Sequence, residues 1–179
     1  MRTVLRIAEP DDAMAIARLH VRTWQAAYGA LLPDAYLREL RLEERAAKYD
    51  FTRRDPLKPR TIVATRGGEI QGFATTAVAP SDHDARPCGE LCALYVAPEW
   101  WGRGVGRSLV AAARSLLAEV GFDTAVLWML AGNTRAESFY RRDGWMPDGV
   151  ERTVPVWGIA IDERRYVRSL RGKGQEIQQ

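Results

Sequence analysis

The chain has 179 residues, and its 26 Lys and Arg against 23 Asp and Glu give a formal net charge of +3. This length favours a single domain, and 46% hydrophobic residues is an ordinary value for a globular protein. The small positive excess argues against nucleic acid as a partner, and the charged residues within 2–12 argue against a secretory signal. The apolar stretches are too short to span a membrane, so we expect no membrane association and a cytoplasmic protein.

The first part of the chain predicts a short strand followed by helices. Glu9-Pro10-Asp11-Asp12 is typical of a helix start, and the apolar residues that follow recur at helical intervals until Tyr28-Gly29. Leu32-Pro33-Asp34 predicts the start of a second helix. The predicted elements are a strand over 3–8, a helix from 13 to about 28, a helix from 34, and its continuation or a third short helix over 43–51.

The rest of the chain alternates strands and helices. Two β-rich runs flank Arg66-Gly67-Gly68-Glu69, which is a strong hairpin signal. A polar loop over 80–89 precedes a nearly continuous apolar strand, which we expect to be covered on both faces. The predicted elements are strands over 61–65, 70–78, 90–96 and 124–130, helices over 103–120 and 133–142, and β segments over 153–157 and 159–167. This order predicts an α/β domain over 1–170 with one central βαβ unit, and a flexible C-terminal tail over 171–179.

Two further features near strands and at the C-terminus have simple interpretations. Cys88 and Cys92 are four residues apart in an extended segment, which is too far for an unstrained disulfide. The C-terminal basic cluster predicts a solvated end of the chain, with a phosphate- or acid-binding patch as the alternative; it comprises Arg164, Arg165, Arg168, Arg171 and Lys173.

A glycine-rich turn between the buried strand and the long helix is the main functional signal. Gly102, Gly104 and Gly106 allow a sharp turn and a close backbone approach to a ligand. The first amides of a helix lack intrahelical partners, so they form an anion site suited to phosphates. Arg103 and Arg107 would add positive charge. The spacing matches neither the dinucleotide fingerprint nor the nucleotide P-loop, and a turn without a ligand remains the alternative.

Two segments resemble signatures of one family. The run from Leu94 to Leu109, LYVAPEWWGRGVGRSL, closely resembles the coenzyme motif of the GNAT superfamily of N-acetyltransferases. The run from Asn133 to Trp145, NTRAESFYRRDGW, resembles the second signature of that family at the expected distance. The family usually has Gln or Arg where this chain has Trp101, so a phosphate contact from this side chain is not expected.

The resemblance implies a fold and a coenzyme site. The fold would be an α/β domain with a mixed, mostly antiparallel sheet, in which the parallel strands of the βαβ unit splay apart to hold acetyl-CoA. Backbone groups of Leu94, Tyr95 and Val96 would bind the pantetheine arm and the acetyl carbonyl. The pyrophosphate would bind the loop and helix start formed by Trp101, Gly102, Arg103, Gly104, Val105, Gly106, Arg107 and Ser108.

The chemistry of acetyl transfer needs an acid, a base and a donor to the oxyanion. The resemblance implies that Tyr140 protonates the leaving sulfur, although a packing aromatic is the alternative. Asn133 would contact the pantetheine or only cap its helix. Glu90 is the candidate base, because a carboxylate in a buried strand has a raised pKa and because histone-type members use a glutamate at this position. The alternative is a solvated first residue of the strand.

The acceptor side has weaker signals. His20, Trp24 and Tyr28 share one face of the first helix, and the resemblance places this helix along the acceptor site. We expect His20 and Trp24 to be mainly core residues and Tyr28 to be the best placed to reach a substrate, with Trp24 as a second candidate. His83 lies between Asp82 and Asp84 in the polar loop without convincing metal spacing, so we predict no metal.

The sequence therefore predicts an acetyl-CoA-dependent N-acetyltransferase that acts on a primary amine, by direct attack in a ternary complex. The acceptor is expected to be a small molecule. The alternatives are a protein N-terminal or lysine acetyltransferase and a non-catalytic acyl-CoA sensor module. A homodimer is expected by analogy with the superfamily, whose terminal strands often pair between subunits.

Overall fold

The computed structural model describes residues 2–52, 55, 58–80, 87–156 and 158–171. Some of the sequence predictions fall partly or wholly outside these residues. They concern the polar loop around His83, Trp157, Lys173 and the predicted tail beyond 171. The strands are β1 (Val4–Ile7), β2 (Arg60–Arg66), β3 (Glu69–Val78), β4 (Gly89–Val96), β5 (Thr124–Leu130), β6 (Met146–Val156) and β7 (Ile159–Ser169). The α-helices are α1 (Ala13–Ala27), α2 (Asp34–Arg38), α3 (Leu42–Ala46), α4 (Val105–Val120) and α5 (Thr134–Arg142), and short 3-10 turns occupy Pro10–Asp12 and Pro98–Trp100.

The strands form one mixed sheet in the order β1-β2-β3-β4-β5-β7-β6. Neighbouring strands pair antiparallel except β4 and β5, which are parallel and are connected by α4. This confirms the predicted α/β fold with its central βαβ unit. The hairpin between β2 and β3 is also confirmed, since Gly67 and Gly68 have φ of 60° and 86°, as a two-residue hairpin turn with two positive φ angles requires.

Helices cover both faces of the sheet. The buried side chains of α4, including Leu109, Val110 and Leu117, pack with residues of β2, β3, β4 and β5. Leu117 lies so close to β4 that a Cβ at Gly89 would approach its Cδ2 to 2.6 Å, which explains a glycine at the start of this strand. On the other face, α1 contributes Ile16 and Leu19 to a second apolar cluster with β2 and β3. The helix start predicted before α1 is present as a capping box between Glu9 and Asp12.

The prediction that the C-terminal arginines form a solvated end holds for Arg164 and Arg171, which are exposed, and is wrong for Arg165 and Arg168, which are buried and part-buried. These arginines belong to β7, an interior strand of the sheet, and to the residues just after it, where carboxylates face them. Arg165 is buried and its Nε lies 2.7 Å from Asp148 Oδ2. The other ion pairs are Arg164–Glu151, Arg168–Asp143 and Arg171–Asp123.

The expectation that β4 is covered on both faces also needs correction. Most of its residues after Leu91 are only half-buried, and Cys92 is exposed. The physical reason is that β4 leaves its parallel neighbour halfway along its length, as described below. No helix among the described residues is long and apolar enough to cross a membrane.

Candidate functional site

A gap opens between the two parallel strands. β4 pairs with β5 only at Gly89 with Ala125 and at Glu90 with Val126. On its other edge, β4 is paired with β3 along its whole length, but the register shifts so that Cys92 is an extra residue between Leu91 and Ala93. Such a bulge bends a strand and increases its twist. Because the strands separate where the bulge occurs, we attribute the gap to this extra residue.

The end of β4 turns backbone groups that are not bonded to β3 toward the gap. Ala97 N–H donates to Gln71 O at 2.9 Å, so residues 97, 95 and 93 are those whose backbone groups bond to β3 in the alternating antiparallel pattern. The N–H and C=O groups of Leu94 and Val96 therefore point into the gap, whereas those of Tyr95 are paired with Phe73. Of the three residues predicted to bind a ligand through the backbone, two have the required orientation.

The glycine loop lies at the mouth of the gap. Gly102 and Gly104 have φ of 73° and 85°, a left-handed conformation that favours glycine, and a Cβ at either position would meet nothing within 4 Å. Gly104 is the N-cap of α4, and Ser108 N–H donates to its carbonyl at 3.1 Å. The N–H groups of residues 105–107 precede this first helical bond, so they are available to an anion.

Two amides of the predicted phosphate loop are already used within the turn. Trp101 N–H donates to Pro98 O at 3.2 Å, and Arg103 N–H donates to Trp100 O at 3.4 Å. The Arg103 guanidinium lies 5.3 Å from the centroid of the Trp100 ring. The amides of the loop and of the first turn of α4 therefore differ in availability, and the glycines and residues 105–107 are the better donors.

Trp101, the residue that departs from the family pattern, is turned toward β4. Its indole N–H donates to Val96 O at 2.6 Å, so this donor is not directed at a phosphate. The guanidinium of Arg135, at the start of α5, lies 3.5 Å from the centroid of the Trp101 ring. Trp101 therefore joins the end of β4 to the start of α5, and it holds a cation beside the loop.

A cavity of about 930 Å³ extends from this loop into the gap and on to the opposite face of the sheet. Ten of the thirteen residues predicted to bind the coenzyme line it. Arg103, Val105 and Ser108 do not, and the side chain of Val105 is buried in the core below α4. The lining residues of that predicted set are Leu94, Tyr95, Val96, Trp101, Gly102, Gly104, Gly106, Arg107, Asn133 and Tyr140.

α5 places two of the predicted residues on the cavity wall. Asn133 caps this helix, with its Oδ1 accepting from Ala136 N–H at 3.1 Å, and the same side chain borders the cavity. Tyr140 is buried and packs edge-on against Phe139, with ring centroids 5.2 Å apart. Burial, together with the neighbouring Tyr95 and Asp143, raises the pKa of Tyr140. Its hydroxyl therefore stays protonated over the physiological range.

The aromatic face of α1 lines the far end of the cavity. Tyr28 packs edge-on against Trp24, with ring centroids 5.0 Å apart, and both border the cavity. Burial raises the pKa of Tyr28, and the neighbouring Tyr95 and Tyr140 raise it further. Trp24 is only 6% exposed, so it is a core residue and a cavity residue at once.

His20 has the same double character. It is buried, its ring stacks on Tyr95 at 4.2 Å, and its Nδ1 lies 2.7 Å from the hydroxyl of Tyr49. Burial and the nearby Arg45 lower the pKa of His20 well below 6.5, so the imidazole is neutral at physiological pH.

Glu90 lies beside the cavity rather than on its wall. It is half-buried next to the bulge, and burial raises its pKa, with Arg152 opposing this effect and Glu163 adding to it. Glu163, on β7, does line the cavity, and its carboxylate accepts from Arg152 Nε at 2.8 Å. Glu163 is thus a second carboxylate in the region of Glu90, the candidate base that the sequence indicated.

Several cavity residues had no recognisable sequence signal. Arg45 and Tyr49 come from α3 and the turn after it, Glu163 from β7 and Arg135 from the start of α5. Each is a charged or aromatic residue of an ordinary amphipathic element, and only the packing of distant segments brings them together. Among the described residues, no cluster of three or more His, Cys, Asp or Glu side chains could hold a metal ion.

Comparisons with known proteins agree with this geometry. The model of the acetyltransferase (GNAT) family matches residues 13–145. An uncharacterized N-acetyltransferase of Bacillus subtilis, YuaI, is 30% identical over 160 residues, which cover 89% of this chain and 88% of that protein. A mycothiol acetyltransferase of Streptomyces bingchenggensis is 42% identical over 84 residues, and this match spans only 26% of that longer protein.

A solved structure supports the fold. The PaiA N-acetyltransferase from Thermoplasma acidophilum, determined in complex with coenzyme A, superimposes with a TM-score of 0.73 at 19% identity. The match covers 93% of this chain and 100% of that one.

Proposed function

The chain belongs to the acetyltransferase (GNAT) family and is an acetyl-CoA-dependent N-acetyltransferase, and we propose that it acetylates the primary amine of a small molecule by direct attack in a ternary complex. One observation carries the proposal. The gap between β4 and β5 joins an anion-binding loop at one end to an aromatic chamber at the other, in a single cavity. A ligand with a phosphate head and a reactive tail fits this arrangement.

The loop and the gap match the parts of acetyl-CoA. The open surface at Gly102 and Gly104 and the N–H groups of residues 105–107 would accept the pyrophosphate, with Arg107 and Arg135 supplying positive charge. The outward N–H and C=O of Leu94 and the outward N–H of Val96 would hydrogen bond the pantetheine arm as an extra strand does, while the Val96 carbonyl accepts from Trp101. When bound, acetyl-CoA supplies an acetyl group activated as a thioester.

The residues at the end of the gap suit the transfer step. The amine nitrogen bonds to the acetyl carbon while the carbon–sulfur bond breaks, and the electron pair of that bond goes to sulfur. A backbone N–H at the end of β4 would stabilise the negative charge on the carbonyl oxygen. Tyr140, kept protonated by burial, would give its proton to the sulfur.

The amine must lose a proton, and two carboxylates are placed to receive it. Glu90 has a raised pKa, which brings a carboxylate closer to the range in which a base works at neutral pH. Glu163 borders the cavity directly. We propose that Glu90 acts as the base through a water molecule and that Glu163 orients the ammonium before it is deprotonated.

The walls of the acceptor end favour a small molecule over a protein chain. α1 and α3 line one side through His20 and Arg45, and β7 lines another through Ile161 and Glu163, so a bound acceptor would have protein on both sides. Tyr36 also connects α2 to β6, because its hydroxyl donates a hydrogen bond to Val156 O at 3.0 Å.

Thiol release from acetyl-CoA over a panel of small amines and amine-terminated peptides tests the proposal. We expect turnover on small amines and little on peptides. Tight binding of acetyl-CoA in calorimetry with no turnover on any amine would indicate a sensor, and faster turnover on peptides would indicate a protein acetyltransferase.

A further inference from the structure

The acceptor end of the cavity contains a fixed positive charge. We define this acceptor end by the cavity residues on and facing α1 and α3, namely His20, Trp24, Tyr28, Arg45, Tyr49, Phe73, Thr75 and Tyr95. Most of them are aromatic. Because His20 is neutral, Arg45 is the permanent cation among these residues.

Arg45 is held in partly dehydrated surroundings. It is half-buried, and burial lowers its pKa, while the nearby hydroxyls of Tyr49, Tyr95 and Tyr36 oppose that effect. Charge interactions are screened less at a half-buried site than in bulk water, so an anion brought to this place would gain more than it would at the protein surface. A guanidinium is also the side chain whose planar geometry matches a carboxylate.

Negative charge lies on a different wall of the same cavity. Glu163 borders it from β7, and Glu90 lies next to it on β4. Arg45, on α3, and Glu163, on β7, both line this cavity, as does Tyr95. The cavity therefore has a cation on its α3 side and, on its β7 side, the Glu163 carboxylate, which is ion-paired with Arg152.

On the basis of the proposed function, we propose that the acceptor is a small amine that also carries a carboxylate, with Arg45 binding the carboxylate. The ammonium group would then lie toward Glu163, on the wall of the cavity that also holds the end of β4, where the acetyl carbon is expected. A second cationic group, as in a polyamine, would meet Arg45 and be repelled. The inference therefore favours amino acids over diamines.

Matched acceptors test this directly on the unmodified protein. The panel contains L-α-amino acids, their primary amides, and the corresponding amines that lack the carboxyl group, each assayed by thiol release with saturating acetyl-CoA. We expect kcat/KM to be at least about 10-fold higher for the amino acids, as removal of one buried charge contact would produce. Equal or faster turnover of the amides would overturn the inference.

Arg45 variants then assign the preference to this side chain. Arg45→Gln should raise the KM for the amino acids about 10-fold or more, with little change for the amides and in the Kd of acetyl-CoA, and Arg45→Lys should keep part of the preference. Arg41→Gln is the matched control, since Arg41 is 75% exposed at the start of α3. An equal loss on amino acids and amides in Arg45→Gln would overturn the assignment.

The outcomes separate this inference from the function on which it rests. Turnover on amines with no preference for the carboxylate overturns the inference and leaves the acetyltransferase intact. Thiol release with none of the amines or peptides overturns both.

Discussion

Gly106→Ala should stabilise the free protein and weaken its binding of acetyl-CoA. Gly106 lies in the first turn of α4 without a positive φ, so alanine can adopt its conformation. A Cβ there would be 3.5 Å from the Phe139 ring and 3.6 Å from Val96 Cγ2, which are ordinary contacts. Alanine is favoured over glycine in a helix by up to about 1 kcal/mol, which for a chain of this size raises the Tm by roughly 2–4 °C.

The same methyl group narrows the proposed coenzyme site. Gly106, Phe139 and Val96 all line the cavity, and the added methyl group would contact the other two side chains there. A group that must be displaced or avoided by the pantetheine arm should weaken binding by about 10-fold, which corresponds to roughly 1.4 kcal/mol. The variant is expected to have a higher Tm and weaker binding of acetyl-CoA. A general loss of folding would lower the Tm, so it cannot explain this combination.

Two measurements on each variant check this prediction. Thermal unfolding without ligand gives the change in Tm, and calorimetry gives the Kd of acetyl-CoA. Ser115→Ala is the matched control, because Ser115 is exposed on the same helix and the change also raises helix propensity. A Gly106→Ala protein with raised Tm and unchanged Kd would refute the placement of the pantetheine arm against this helix.

Four further variants test the proposed catalytic residues and one proposed coenzyme contact. Tyr140→Phe should lower kcat by about 100-fold with little change in the KM for acetyl-CoA, as loss of a general acid does, and an unchanged kcat would remove Tyr140 from that role. Because burial raises its pKa, ionisation of Tyr140 should not reduce the rate of thiol release between pH 8 and 10, a range that lies below the ordinary value of 10.0. Glu90→Gln should remove the acidic limb of the kcat/KM profile if Glu90 is the base. The folded protein binds the Glu90 proton more tightly than the unfolded chain does, so this variant should also have a higher Tm at pH 7, a gain that disappears below pH 4.5. Asn133→Ala should cost about 1 kcal/mol of stability through the lost cap, whereas Asn133→Asp should keep the cap, so weaker acetyl-CoA binding in both variants would show that the amide group contacts the coenzyme.

The coenzyme half of the cavity could be predicted because its chemistry is local. The phosphate loop is one run of glycines between a strand and a helix, and the positive φ angles of Gly102 and Gly104 follow from their residue type. The capping role of Asn133 likewise depends on neighbours three residues away. Such features depend only on residues that are close together in the sequence, so they can be predicted from the sequence alone.

The gap itself had no such signal. Its cause is the extra residue Cys92, which is a bulge only in relation to the register of β3, some fifteen residues earlier in the chain. The early start of β6 was missed for a related reason. Pro147 and Gly149 look like strand breakers, but β6 is an edge strand with an irregularity between Pro147 and Glu151, where proline is tolerated.

In the acceptor half of the cavity, residues of α1 are core residues and site residues at the same time, so the sequence analysis was misleading where it treated these roles as alternatives. A side chain that is 5–6% exposed, as His20 and Trp24 are, would ordinarily be assigned to packing alone. Here the gap in the sheet carries the cavity into the apolar interior, so the same side chains pack against the core and border the acceptor end. Their substitution would disturb stability and substrate binding together, and neither effect could be read separately. Arg45 and Glu163 contribute charge to the same cavity, so acceptor specificity is better measured at these positions, with the Tm of each variant as the check on folding.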